Sequence, residues 1–185
     1  MQFRFDIKKS MAAVAFLMNR CGGELDMFLA LKSLYLADKK ALTTWGKPIT
    51  GDEFKALPKG PVLEMIYRLF KGTAPKNFQM QWDSAFSERV NHCIHLRSKV
   101  STTSLSERER EVLGMAQDEI NSVAPKDVAD FLHQTCPEWT DPKGGSLPIS
   151  PEVILANAGL TQEQIDELKE SERVFYETRL ALGAR

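Results

Sequence analysis

Apolar residues recur at three- and four-residue steps through most of this chain, and the breaks between those runs are short and rich in glycine and proline. Asp6 is placed to cap a first helix whose body, Met11 to Met18, is apolar on nearly every side, which puts that helix at the centre of the fold. Gly22-Gly23 stops it. A second helix is expected from about Asp26 to Thr43, with Met27, Leu31, Leu34, Tyr35 and Leu42 on overlapping sides, and Gly46 and Pro48 end it. From Ile49 to Lys59 the helical period is lost around Gly51 and Pro58, so a turn is predicted there, with a short extended piece near Glu53 to Ala56. Gly60-Pro61 then reads as the opening of a third helix, since proline at the first helical position loses no hydrogen bond. Its stripe is Val62, Met65, Ile66, Leu69 and Phe70, and Gly72 closes it.

Beyond Gly72 the period shortens to two. Phe78, Met80 and Trp82 alternate with polar neighbours, as do Val90, His92, Ile94 and Leu96, and the two runs predict a small antiparallel hairpin or a pair of edge strands. Ser106 and Glu109 fit a capping box before a helix with Val112, Leu113, Ala116, Ile120 and Val123 on one side. A shorter helix follows near Lys126 to Gln134. Residues 137–148, with three prolines and Gly144-Gly145, predict a surface loop. Ser150-Pro151 opens a brief helix that Gly159 ends, and Thr161 with Gln164 caps a last amphipathic helix from about Gln162 to Leu182. The fold class expected is mainly α: a compact helical domain over residues 1–159 carrying a small β-hairpin, and a C-terminal helical extension over 160–185.

Composition narrows the function classes. The chain has 185 residues, 43% of them hydrophobic and 26% charged, with a net charge of -1, which suits one globular domain with an appendage. Phosphate binding draws on clustered Lys and Arg, and the densest charged run, Glu107 to Glu111, alternates in sign, so nucleic acid is not expected as the main partner. The apolar run Met11 to Met18 is too short to span a bilayer. Three scattered cysteines, Cys21, Cys93 and Cys136, do not make a disulfide framework, and a cytoplasmic location is expected.

Candidate chemistry is sparse. Gly46-Lys47 is followed by Pro48 and is no phosphate loop, and neither G-x-S-x-G nor H-E-x-x-H occurs. His92, Cys93 and His95, with His133 and Cys136, are potential metal ligands, but on a strand His92 and His95 point to opposite faces, so no metal or other cofactor is expected. Cys21 lies at a helix C-terminus, where the dipole opposes a thiolate. Asp38, Asp52 and Glu53 gather around the turn, where an aspartate also serves simply to satisfy loop amides. Tyr35 shares the apolar stripe of its helix and reads as core, with Lys32 turned to a different side.

Three segments, in order, resemble the Panacea domain, the SocA-like antitoxin domain of bacterial and phage toxin-antitoxin systems: Leu31 to Asp38, Gly46 to Val62, and His133 to Trp139. The likeness runs over about residues 7–155. Within it Gly46 and Gly51 permit turns, Pro48 and Pro61 fix φ, Phe54 and Val62 fill apolar sites, and Asp52 bonds loop amides, so the motif reads as scaffold together with Tyr35, Asp38, Gly60, His133 and Trp139. The resemblance implies a small non-enzymatic protein that neutralises a cognate protein toxin by direct contact. It also implies, as alternatives, an adaptor that delivers a toxin to a protease, or an autoregulator of its own promoter, which the missing basic stripe disfavours. An enzyme would instead need Asp38, Asp52 and His133 to converge in a cleft. For the toxin contact the sequence offers Arg173, Phe175, Tyr176, Arg179 and Leu182 on the last helix, residue types enriched at interface hot spots.

Overall fold

The computed structural model describes residues 1 and 3–182; the side chains of Arg179 and Leu180 also lie outside the described set. The chain is mainly helical, with two small antiparallel sheets and a long C-terminal helix. Helix α1 (Ile7–Arg20) starts where predicted, with the Asp6 carboxylate accepting from the Lys9 amide. Its Ala12, Ala13, Val14, Ala15, Leu17 and Met18 are wholly buried, so this apolar helix does lie in the core. Strand β1 (Glu24–Asp26) leads into α2 (Met27–Trp45), capped by Asp26 and ended by Gly46 at φ 77°.

The hairpin lies elsewhere than the alternation foretold. Strands β2 (Phe54–Leu57) and β3 (Gly60–Leu63) pair antiparallel, Ala56 opposite Pro61, and β5 (Leu147–Ile149) adds to the other edge of β2. Pro61 therefore sits in an edge strand, where its missing N–H costs no ladder bond, and does not open a helix. Helix α3 (Glu64–Lys71) begins three residues later. Phe78, Met80 and Trp82 belong to α4 (Lys76–Ala85): Trp82 and Ala85 are buried, three residues apart, with Phe78 four before Trp82, while Met80 is 64% exposed. Of the second alternating run only β4 (Cys93–His95) is a strand, and it pairs with β1.

Helix α5 (Glu107–Asn121) carries the predicted capping box in full. Helices α6 (Val128–Thr135) and α7 (Pro151–Asn157) follow, the latter capped by Ser150. The final helix, α8 (Gln162–Ala181), has its Thr161–Gln164 box formed reciprocally and anchors on the body through buried Ile165 and half-buried Leu168. Gly46 is close-packed there: a Cβ on it would lie 2.6 Å from Leu168 Cδ2.

Candidate functional site

The residues of the three motif segments meet around α2. Lys32, Tyr35 and Asp38 stand three residues apart, so one flank of the helix presents all of them to the hairpin and the loops beside it. Asp38 is 1% exposed and accepts from the amides of Ile49 (3.0 Å) and Thr50 (3.2 Å) and from the Thr50 hydroxyl. Burial pushes its carboxyl up to about 7, against the pull of those hydrogen bonds, and the charge of Asp52 adds to the rise. Asp52 accepts from the amides of Met65 (2.9 Å), Ile66 (2.9 Å) and Glu53 (2.7 Å). It thereby caps α3 from thirteen residues upstream, a task that Leu63 at the N-cap position cannot perform. Burial outweighs these bonds and raises it to about 6.

Lys32 is turned inward, contrary to the expectation that it faces another side. It is 2% exposed, and its Nζ donates to the carbonyls of Gly60 and Pro61, both at 2.9 Å. Burial lowers it to about 7. Gly60 suits this position through its φ of 90°, a left-handed conformation that other residues rarely adopt. Tyr35 is fully buried, packs edge-on against Phe54, and donates to Glu138 Oε1 at 2.6 Å, while Lys39 donates to Glu138 Oε2 at 3.0 Å. Burial and the neighbouring Glu138 charge hold the Tyr35 phenol well above its ordinary value. The third segment is thus tied to α2 by a buried carboxylate. Trp139 donates its indole N–H to the Leu57 carbonyl (2.9 Å) and stacks on His133 at 3.6 Å between ring centres.

Val62 and Phe54 are buried plugs, and Pro48 is buried in the turn, as the motif implied. Gly51 (φ 69°) has a second reason to be glycine: a Cβ would lie 2.2 Å from the Arg4 carbonyl, so the N-terminal segment crosses directly over it. The next residues of that strap are fixed by the Asp6 amide, which donates to the Thr50 carbonyl at 2.9 Å.

The sequence pointed to Asp38, Asp52 and His133 as one possible reacting set. The two aspartates spend their oxygens on backbone amides and Thr50, and among the described residues no hydrogen bond joins His133 to either of them. The same region holds Lys32, which the sequence placed on another side of α2, and residues that sequence reasoning passed over, namely Lys39, Thr50 and Glu138. The signal for Lys32 was its place inside the apolar run Leu31 to Tyr35; Glu138 carried none, since its partners are about a hundred residues away. Among the described residues no group of three or more His, Cys, Asp or Glu is placed to hold a metal ion. Cys136 is buried, and burial raises its thiol to about 11, so it stays protonated at neutral pH.

The proposed contact residues lie on α8. Phe175 and Tyr176 are each 48% exposed and Leu182 79%. Lys47 lies over the Phe175 ring at 4.4 Å. Arg173 is held between Glu170 and Glu177 in exposed helical pairs. The side chain of Arg179 is outside the described residues. No described helix is long and apolar enough to cross a membrane.

Comparison with known proteins fits this arrangement. The family model for the antitoxin SocA-like Panacea domain matches residues 31–140, the span from α2 to Trp139 that holds the buried polar cluster. Neither the curated proteins nor the solved structures contain a match to the chain. With more than half of its length matched by that model, the chain belongs to the SocA-like, Panacea-domain antitoxin family.

Proposed function

We propose that this protein is an antitoxin that neutralises a cognate protein toxin by direct contact, without catalysis and in the cytoplasm. The observation that carries this reading is the family match. Two features support it. The polar residues Lys32, Tyr35, Asp38 and Asp52 of the motif hold α2, the turn and the hairpin together, which is the work of a scaffold. And α8, with Leu182 just past its end, presents Val174, Phe175, Tyr176 and Leu182 in part or largely to solvent, with aromatic types that anchor interfaces.

The test is co-expression with the product of the neighbouring reading frame. Growth arrest by that product, relieved by this protein, is the expected result; no rescue, with both proteins present, overturns the antitoxin reading. A triple substitution of Phe175, Tyr176 and Leu182 by Ala should abolish rescue while leaving the fold intact, since all three are substantially exposed. Full rescue by the triple variant removes α8 from the contact. Toxin that disappears in a protease-dependent manner, without a stable complex, indicates delivery for degradation in place of occlusion.

A further inference from the structure

A cleft of about 620 Å³ opens where three separate parts of the chain meet. Its floor is the family-matched turn from Trp45 to Gly51, with Phe78 of α4 and the start of α5; its walls are the N-terminal segment and α8, both outside the matched span. The lining mixes aromatic rings with cations. Arg4, Lys8 and Arg108 are exposed there, and among the described residues none of the three has a carboxylate within ion-pair distance. Arg108 instead lies over the Trp45 ring, 4.0 Å from its centre. The acids of the cleft are already engaged: Asp6 caps α1, Glu109 takes Lys9 and the Ser106 cap, and Glu172 faces Lys47.

The placement of the cations runs against local preference. Lys8 and Lys9 occupy the first turn of α1 and Arg108 the first turn of α5, where the helix dipole already contributes about half a positive charge and favours acids. Arg108 is offset there by Glu107 and Glu109 of the same turn and by the Trp45 ring, and Lys9 by Glu109, whereas Lys8 has no acid in its own first turn. Three cations without a carboxylate partner among the described residues, converging on one aromatic-lined cleft, make a site for negative charge joined to an apolar body.

On the antitoxin reading, on which this rests, we propose that the cleft receives an acidic, aromatic-bearing segment of the partner protein, with Arg4, Lys8 and Arg108 meeting its carboxylates and Trp45 and Tyr176 flanking its apolar side chain. A nucleic acid is disfavoured by the wall itself. Helix α8 lines the cleft with Glu172 and beyond it carries Glu163, Asp166, Glu167, Glu170 and Glu177 against Lys169 and Arg173, a net negative balance that a long phosphate backbone leaving along that helix would meet. A compact acidic segment does not. A floor from the shared motif and walls from unshared segments also place partner discrimination in the walls.

The experiment uses the full chain against an array of short synthetic peptides of equal apolar content and graded net charge, beside a single-stranded oligonucleotide at the same salt. Wild type should retain acidic, aromatic peptides, and Arg4→Glu/Lys8→Glu/Arg108→Glu should weaken retention by about tenfold or more, with a single cooperative melt retained because all three side chains are exposed. Absence of retained peptides, retention without charge preference, retention undiminished in the triple variant, or an oligonucleotide bound in the same cleft each overturns the proposal. The same variant in the growth assay separates the two readings. Rescue that survives the charge reversals refutes the cleft and leaves the antitoxin; acidic peptides held by the cleft of a protein that rescues nothing refute the antitoxin and leave the cleft.

Discussion

Asp38→Asn isolates the buried carboxylate at the heart of the motif. The folded chain holds Asp38 at about 7, chiefly through burial, whereas an unfolded aspartate titrates near 3.9. Between those values the native state keeps a proton that the unfolded state has given up. The stability owed to this group is therefore full below about pH 4 and drains away as pH rises through about 7. At about 1.4 kcal/mol per pH unit the whole loss is about 4 kcal/mol, of which about 2–3 kcal/mol falls between pH 5 and pH 8. The amide of Asn mimics the protonated acid: its oxygen accepts from the Ile49 N–H, and its NH2 faces the Thr50 hydroxyl, which can accept. Urea unfolding of both proteins across that range gives the difference directly, and contributions from other titrating groups cancel in it, apart from the repulsion with Asp52. The variant should gain on wild type by about 2–3 kcal/mol from pH 5 to pH 8. A difference that stays flat, or that moves toward wild type as pH rises, refutes the placement of this carboxyl.

Lys32→Met should show the opposite slope: the lysine is lowered to about 7, so from about pH 7 to 10 the unfolded chain holds the extra proton and wild type gains on the variant, read by the same urea series. Gly51→Ala should cost about 2 kcal/mol or more, from a positive φ and a collision with the Arg4 carbonyl, lowering the melting temperature by several degrees in calorimetry. Tyr35→Phe leaves the buried Glu138 carboxylate with Lys39 alone and should destabilise by about 1–3 kcal/mol in the same melts, whereas Lys59→Ala, on the exposed hairpin turn, should change little.

Helix ends with local caps were legible in the chain: Asp6, Asp26, Ser106 with Glu109, Ser150, and Thr161 with Gln164 all act where the sequence placed or allowed them. What escaped was determined at a distance. Helix α3 has no local cap, so Gly60-Pro61 was the best start signal near it, while the true cap is the side chain of Asp52. The α4 residues Phe78 and Trp82 satisfy a period of two and a spacing of four equally, and the tie is broken by packing of Trp82 against Phe70 and Phe86. Strands β1 and β5 are three residues each and exist only because β4 and β2 offer them partners. The motif turn was recognised as scaffold from its glycines and prolines. Of its polar keystones, Lys32 was assigned to the wrong side of α2 and Glu138 was not seen at all, because each is explained only by the group it meets across the fold.

The Tyr35–Glu138 bond spans 103 positions. A ribosome adding about 5–20 residues per second completes α2 roughly 5–20 s before it supplies the glutamate. Throughout that interval the Tyr35 phenol and the half-buried Lys39 ammonium wait without their acceptor, and α2 lacks the tie to the third motif segment. The last tie of α2 is consequently made late in translation, and a chain interrupted before residue 138 is expected to lack it and to be cut faster by proteases at this flank.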